Sequence, residues 1–205
     1  VAYMQEAFAF VASKVFPTIP VKKQSDKYFT YSQADFFRDQ VQPRADGTQS
    51  AGTGYSLSTD TYSATNYALH KDIGHLTLAN SDAPLDPLAD ATRFLSQQML
   101  IKQERDWATN CFATSIWGTD ATPSTLWSAA SSTPIANVET AKNTVLSNTG
   151  YLPNTMIMSY KVFSALVDND DITDRIKYTS SDSVTADLLA KLFGLDRILV
   201  MSGTY

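Results

Sequence analysis

Few residues in this chain have the types and spacing that chemistry needs. His70 and His75 are its two histidines. Their odd spacing puts them on opposite faces of a strand, so they are not expected to share a metal ion. Cys111 is the lone cysteine, with no histidine near it in sequence. It suits a small core position better than a nucleophile. Asp168, Asp170, Asp171 and Asp174 form an acidic cluster. The cluster lacks the glycine and terminal glutamate of an EF-hand loop, so a solvated helix end is expected there. Ala51-Gly52-Thr53-Gly54 is poor in glycine for a phosphate loop and no lysine follows it. There is no G-x-S-x-G, G-x-G-x-x-G, Walker loop or C-x-x-C. The expectation is a protein that is not an enzyme, with no catalytic residue, cofactor or metal.

Composition narrows the class further. The 205 residues carry a net charge of −5, and 43% are hydrophobic. Lys and Arg are dispersed, which argues against a nucleic-acid binder driven by a basic stripe. No apolar run reaches the roughly 18–20 residues needed to span a bilayer, so no membrane partner is expected. The opening VAYMQEAFAFVASKVF carries Glu6 and lacks the basic start of a signal peptide. The Ser and Thr of 48–65 would suit glycosylation, but that start and a single cysteine fit a reducing compartment. The chain opens on Val1 and ends soon after RILVM, which reads as a buried strand without partners. A piece of a longer polypeptide is therefore expected.

The element that must position everything else is Asp86 to Phe112. Asp86 is a good N-cap and Pro87 a good first helical residue. Asp90 suits the positive end of the helix dipole. Leu88, Ala91, Leu95 and Met99 recur at helical spacing, with Ile101, Ala108 and Phe112 beyond them. Arg93, Gln97, Lys102, Glu104 and Asp106 read as surface. Such a helix would be roughly 39 Å long, a strut across a thin layer. Leu88, Leu95 and Met99 are its expected core contacts.

On the amino side, residues 1–16 predict an amphipathic helix through Met4, Ala7, Phe8, Val11 and Val15. Pro17 and Pro20 break it into an extended arm. Residues 28–73 predict two strands joined by a flexible tip. Asp46-Gly47 is a turn signal, and Tyr62, Thr65, Tyr67 and Leu69 mark the returning strand. A surface hairpin or a disordered loop fits the same composition. On the carboxyl side, Trp117 and Trp127 are expected to anchor a Ser/Thr-rich loop by burial. Asn137 is read as the cap of a helix ending at Gly150. Strand 155–160, helix KVFSALVD, the short piece ITDRIKYT, helix 184–194 ending at Gly194, and strand 195–201 complete a small α/β module.

This order of parts resembles the HK97-type fold of tailed-phage major capsid proteins. FPTIPVKKQSDKYFTY resembles the amino-terminal arm of one large branch of that family, and FFRDQVQPRADGT its entry into the extended loop. NTVLSNTGYLPNTMIMSYKVFSALVDNDDITDRIKYT and VTADLLAKLFGLDRILVMSG resemble its A domain. The resemblance spans nearly the whole chain and implies an α+β capsid fold, incomplete at the C-terminus. Residues 1–27 would be the arm, 28–78 the extended loop with flanking strands, 79–112 the peripheral domain with its spine helix, and 113–205 a partial A domain. It implies self-assembly into pentamers and hexamers of an icosahedral shell enclosing double-stranded DNA without sequence-specific binding. The shell would form in the host bacterial cytoplasm, with portal, scaffolding or decoration proteins as further partners. Arg38, Arg44 and Lys71 would pair with carboxylates of the adjacent subunit, and Asp46, Gly47, Phe16 and Pro17 would join those contacts. An encapsulin-like nanocompartment shell is the alternative within the fold. An intracellular α/β domain holding a ligand at its strand ends is the alternative outside it.

Overall fold

The computed structural model describes residues 9–177 and 183–203. Their order is α1 (Ala12–Val15), β1 (Ser25–Tyr31), α2 (Gln33–Phe36), β2 (Leu57–Ser63), α3 (His75–Ala79), α4 (Pro87–Cys111), α5 (Pro134–Thr149), β3 (Thr155–Ser159), α6 (Tyr160–Val167), α7 (Asp170–Ile176), α8 (Ala186–Phe193) and β4 (Arg197–Met201). The architecture is mixed α/β with two small two-stranded sheets. The chain divides into two compact units: Ile19–Ala68, and the described residues on either side of it.

In the Ile19–Ala68 unit, β1 and β2 pair antiparallel from Ser25 opposite Ser63 to Tyr31 opposite Leu57. Side chains alternate across such a ribbon. Phe29, Tyr31 and Leu57 therefore share one face, and Asp26, Tyr28, Asp60 and Tyr62 the other. The returning strand is Leu57–Ser63, and residues 64–74 have no regular structure. Thr65, Tyr67 and Leu69 thus lie outside the strand expected to hold them. The Thr-rich stretch that reads as a flexible tip supplies the strand instead, because Thr is β-branched and fits a pleated surface. The turn at Asp46-Gly47 is present, with Gly47 at φ 76° and Thr48 N–H donating to Ala45 O at 3.3 Å.

In the other unit, α4 has the expected bounds. Asp86 caps it by accepting from the N–H groups of Leu88 and Ala89 at 3.1 Å each. Two of its expected core contacts, Leu88 and Met99, are corrected. Leu88 is 57% exposed, Met99 is also exposed, and Leu95 is half-buried. The buried residues are Ala91, Glu104 and Trp107. At roughly 100° per residue, Leu88, Leu95 and Met99 form one stripe, while Glu104, Trp107 and Cys111 cluster on the far side. The chain's own packing, through α1, covers that far side.

The α/β module carries the main core. Leu166, Ile172 and Leu189 are 0% exposed, and Val138, Met158, Phe193 and Ile198 pack with them. Strands β3 and β4 run parallel, Thr155 opposite Arg197 through Ser159 opposite Met201. Each helix start in the crossover is capped from its own sequence. Ser159 accepts from Val162 N, Asn169 from Asp171 N and Thr185 from Leu188 N. Gly150 and Gly194 close α5 and α8 in left-handed geometry, as their positions predict. Helix α5 starts at Pro134 with Thr133 as its N-cap, so Asn137 lies inside the helix rather than before it. Proline at the first position loses nothing there, which moves the start upstream. Trp127 packs against the core, whereas Trp117 is 54% exposed and does not anchor by burial. At the amino end the described helix is α1 alone, one turn long. Met4, Ala7 and Phe8 lie outside the described residues, as do Tyr178 and Thr179 of the ITDRIKYT piece.

Candidate functional site

The residues that read as chemically able do not converge. His70 sits 3.9 Å from Asp72 in exposed coil, and His75 opens α3. Cys111 ends α4, half-buried against Val11, Ala12 and Trp107. Asp168 caps the end of α6 while Asp170 lies in the first turn of α7. Asp171 accepts from Ile135 N–H at 3.3 Å, and Asp174 pairs with Lys177 at 2.7 Å. Among the described residues, no group of three or more His, Cys, Asp or Glu comes together to hold a metal ion. No described helix is long and apolar enough to cross a membrane.

What the chain does present is uncovered apolar surface. Many of the exposed large hydrophobic residues are aromatic. Phe29 is 68% exposed, Tyr31 58% and Phe36 60%. Tyr31, Phe36 and Tyr55 meet edge-on or tilted in a cluster with centroids 5.7 to 6.0 Å apart. The cluster sits where β1 and β2 open toward the loop, so it stiffens the base of that loop while leaving its rings in solvent.

Asp35 ties the loop together. It accepts from Ser56 N–H at 2.7 Å and from the Ser56 hydroxyl, and its carboxylate is only 13% exposed. The Ser56 hydroxyl, then the Ser56 N–H and more weakly Arg38, hold its pKa below the ordinary carboxylate value. On the ribbon, the Tyr28 hydroxyl donates to Asp60 at 3.2 Å, and that acceptor raises the phenol's pKa.

The expected contact residues are now placed. Arg38 is engaged inside its own loop, 3.1 Å from Asp35 and donating to Gly54 O at 3.2 Å. Arg44 is exposed beside the Asp46-Gly47 turn, with no ionic partner among the described residues. The Lys71 ammonium lies 5.7 Å from the Phe94 ring centroid. Phe16 stacks on Trp117 with centroids 6.3 Å apart, and Pro17 follows it in exposed, extended chain. Residue types alone miss two ties. One is Asp35 to Ser56, for which only an Asp in a one-turn helix gives a signal. The other is Glu104, which reads as surface and is 6% exposed. It accepts from Val11 and Ala12 N–H groups across more than ninety residues of chain.

No family model matches the chain. Over 79 residues, 38% of the chain, it is 30% identical to the major capsid protein of Burkholderia phage BcepMu. That match spans 26% of the relative's length, about a quarter of it. In three dimensions the chain is similar to the crystal structure of a phage-related protein from Bordetella bronchiseptica RB50. The TM-score is 0.70 at 25% identity, covering 96% of this chain and 66% of that one. The chain is thus of mixed α/β class and similar, over part of its length, to a phage major capsid protein.

Proposed function

We propose that this chain is a major capsid protein of a tailed phage with the HK97-type fold. In this reading its copies form the pentamers and hexamers of an icosahedral shell. The shell encloses double-stranded DNA, and the role is structural rather than catalytic. The observation that carries the reading is the exposed aromatic ribbon of Ile19–Ala68, in a chain similar to a phage major capsid protein. A two-stranded ribbon is marginal alone in water, so its rings call for a neighbouring surface. Contacts that pair one patch with a different patch on the next copy close into rings. The net charge of −5 suits a wall that contains DNA without neutralising it. The virion is then its place, with assembly in the host cytoplasm. Portal, scaffolding and decoration proteins are candidate partners.

Negative-stain microscopy with sedimentation tests this on the full-length protein, expressed alone and then taken from its native source. Uniform shells or subunit rings support the proposal, and nucleic acid inside native particles separates a phage shell from an encapsulin-like compartment. Monodisperse monomers at high concentration, with no native particles, overturn it. Arg44, without an ionic partner among the described residues, is the residue to reverse. Arg44→Glu is expected to block assembly while the circular dichroism of the unassembled chain stays the same. Normal shells from that variant would remove Arg44 from the interface.

A further inference from the structure

Helix α1 is too short to stand alone. It has four residues, and a Lys14 N–H to Val11 O bond of 2.8 Å closes its turn. Nucleating one turn fixes several dihedrals for one hydrogen bond, so an isolated turn of this kind melts. Yet Val11 and Ala12 are buried. The explanation lies at the two ends of the turn. At its amino end, both Glu104 oxygens accept from Val11 N–H at 3.2 and 3.1 Å, and one accepts from Ala12 N–H at 2.8 Å. At its carboxyl end, Arg197 Nη2 donates to Lys14 O at 3.0 Å. Arg197 Nε donates to Thr155 Oγ1 at 3.2 Å, which aims the guanidinium. A negative charge meets the free N–H groups and a positive charge the free carbonyl, matching the polarity of the turn.

The two charges come from different elements, α4 and β4. Between them Val11, Ala12 and Val15 pack with Trp107, Leu199 and Met201. Phe16 and the extended arm begin at the next residue. We infer that α1 is a clasp, with Glu104 and Arg197 as the positioning residues that hold the root of the arm by its backbone. The arm's part in assembly rests on the capsid reading; the clasp itself does not. Glu104 and Arg197 grip backbone groups while Val11, Ala12 and Val15 bury their side chains beside them, so opening the clasp uncovers that small cluster and leaves Leu166, Ile172 and Leu189 buried. A buried carboxylate held by backbone N–H groups is a better source of position than of stability.

The test uses the full chain before assembly. In Glu104→Gln, the oxygen that faces Val11 N–H alone becomes a donor, the charge is lost and side-chain volume is kept. Amide exchange at Val11 and Ala12 is expected to quicken about tenfold or more, since bonds to a charged acceptor are lost. Tryptic cleavage after Lys14 should quicken with it, while α8 and β4 amides keep their protection. Unchanged exchange at Val11 and Ala12 overturns the clasp. If Glu104→Gln loosens α8 as well, Arg197→Gln decides, because that side chain is exposed and its loss empties no core. It should speed cleavage after Lys14, and an unchanged rate overturns the proposal. Clasp variants that lose this protection but form shells at the wild-type yield overturn the positioning role. If wild-type chains form no shells, the capsid reading falls and the exchange result still decides the clasp.

Discussion

The α/β module and the Ile19–Ala68 unit use apolar residues in opposite ways. The module turns Leu166, Ile172 and Leu189 wholly inward, and its helices are closed by their own caps. The ribbon unit leaves Phe29, Tyr31, Phe36 and Phe37 in solvent, held by a ring cluster and one carboxylate tie. One region is stabilised by what it buries within the chain. The other is shaped locally and lacks a burial partner within its own unit. Under the proposed capsid role, that division would let the ribbon take its final stability from a neighbour.

The largest expected effect sharpens the module's side. Leu189→Ala should lower stability by about 2–5 kcal/mol, read from the urea midpoint of the unassembled chain. A loss under about 1 kcal/mol would mean the module core is not where its stability lies. Next come the glycines. Gly194→Ala forces a side chain into left-handed geometry at φ 65° and places its Cβ 3.2 Å from Lys142 Nζ. That lysine donates to Phe193 O at 2.9 Å and helps close α8. A cost of about 1–2 kcal/mol is expected. Gly47→Ala has a similar φ of 76° but meets nothing within 4 Å, so the free turn relaxes and costs less. Equal losses at the two sites would break the contrast.

A pH titration probes the ribbon unit. Asp35 has a folded-state pKa below its ordinary 3.8. Its tie to Ser56 is therefore complete above that value and is lost as pH falls through the lowered one. The Ser56 amide shift should follow it with a midpoint under 3.8. A midpoint at or above the ordinary value would show a looser loop base. The smallest effect on the isolated chain is expected at Phe29→Ala, within about 0.5 kcal/mol. The same change should strongly reduce shell yield. A large loss of monomer stability would mean the ribbon already has its burial partner.

Local signals were legible along most of the chain. Asp86-Pro87 start α4, and Gly150 and Gly194 end their helices, because caps depend on residues within one turn of each other. The order of helix and strand in the module follows from periodicity in the same way. The ribbon was legible as two strands, but its register was not. Thr59 and Thr61 read as loop until paired with Phe29 and Lys27.

The sequence by itself determined which stretches become helices or strands and where most of them stop, since those choices rest on backbone propensity and neighbours a few residues away. Only the tertiary structure decided that the Glu104–Trp107 side is buried in the second half of α4. The Leu88, Leu95 and Met99 stripe is the more apolar, yet Glu104 and Trp107 on the far side are covered. The cause is α1, whose N–H groups reach Glu104 from 92 and 93 residues away. A buried carboxylate needs specific donors, and no pattern along the chain says which distant backbone will supply them.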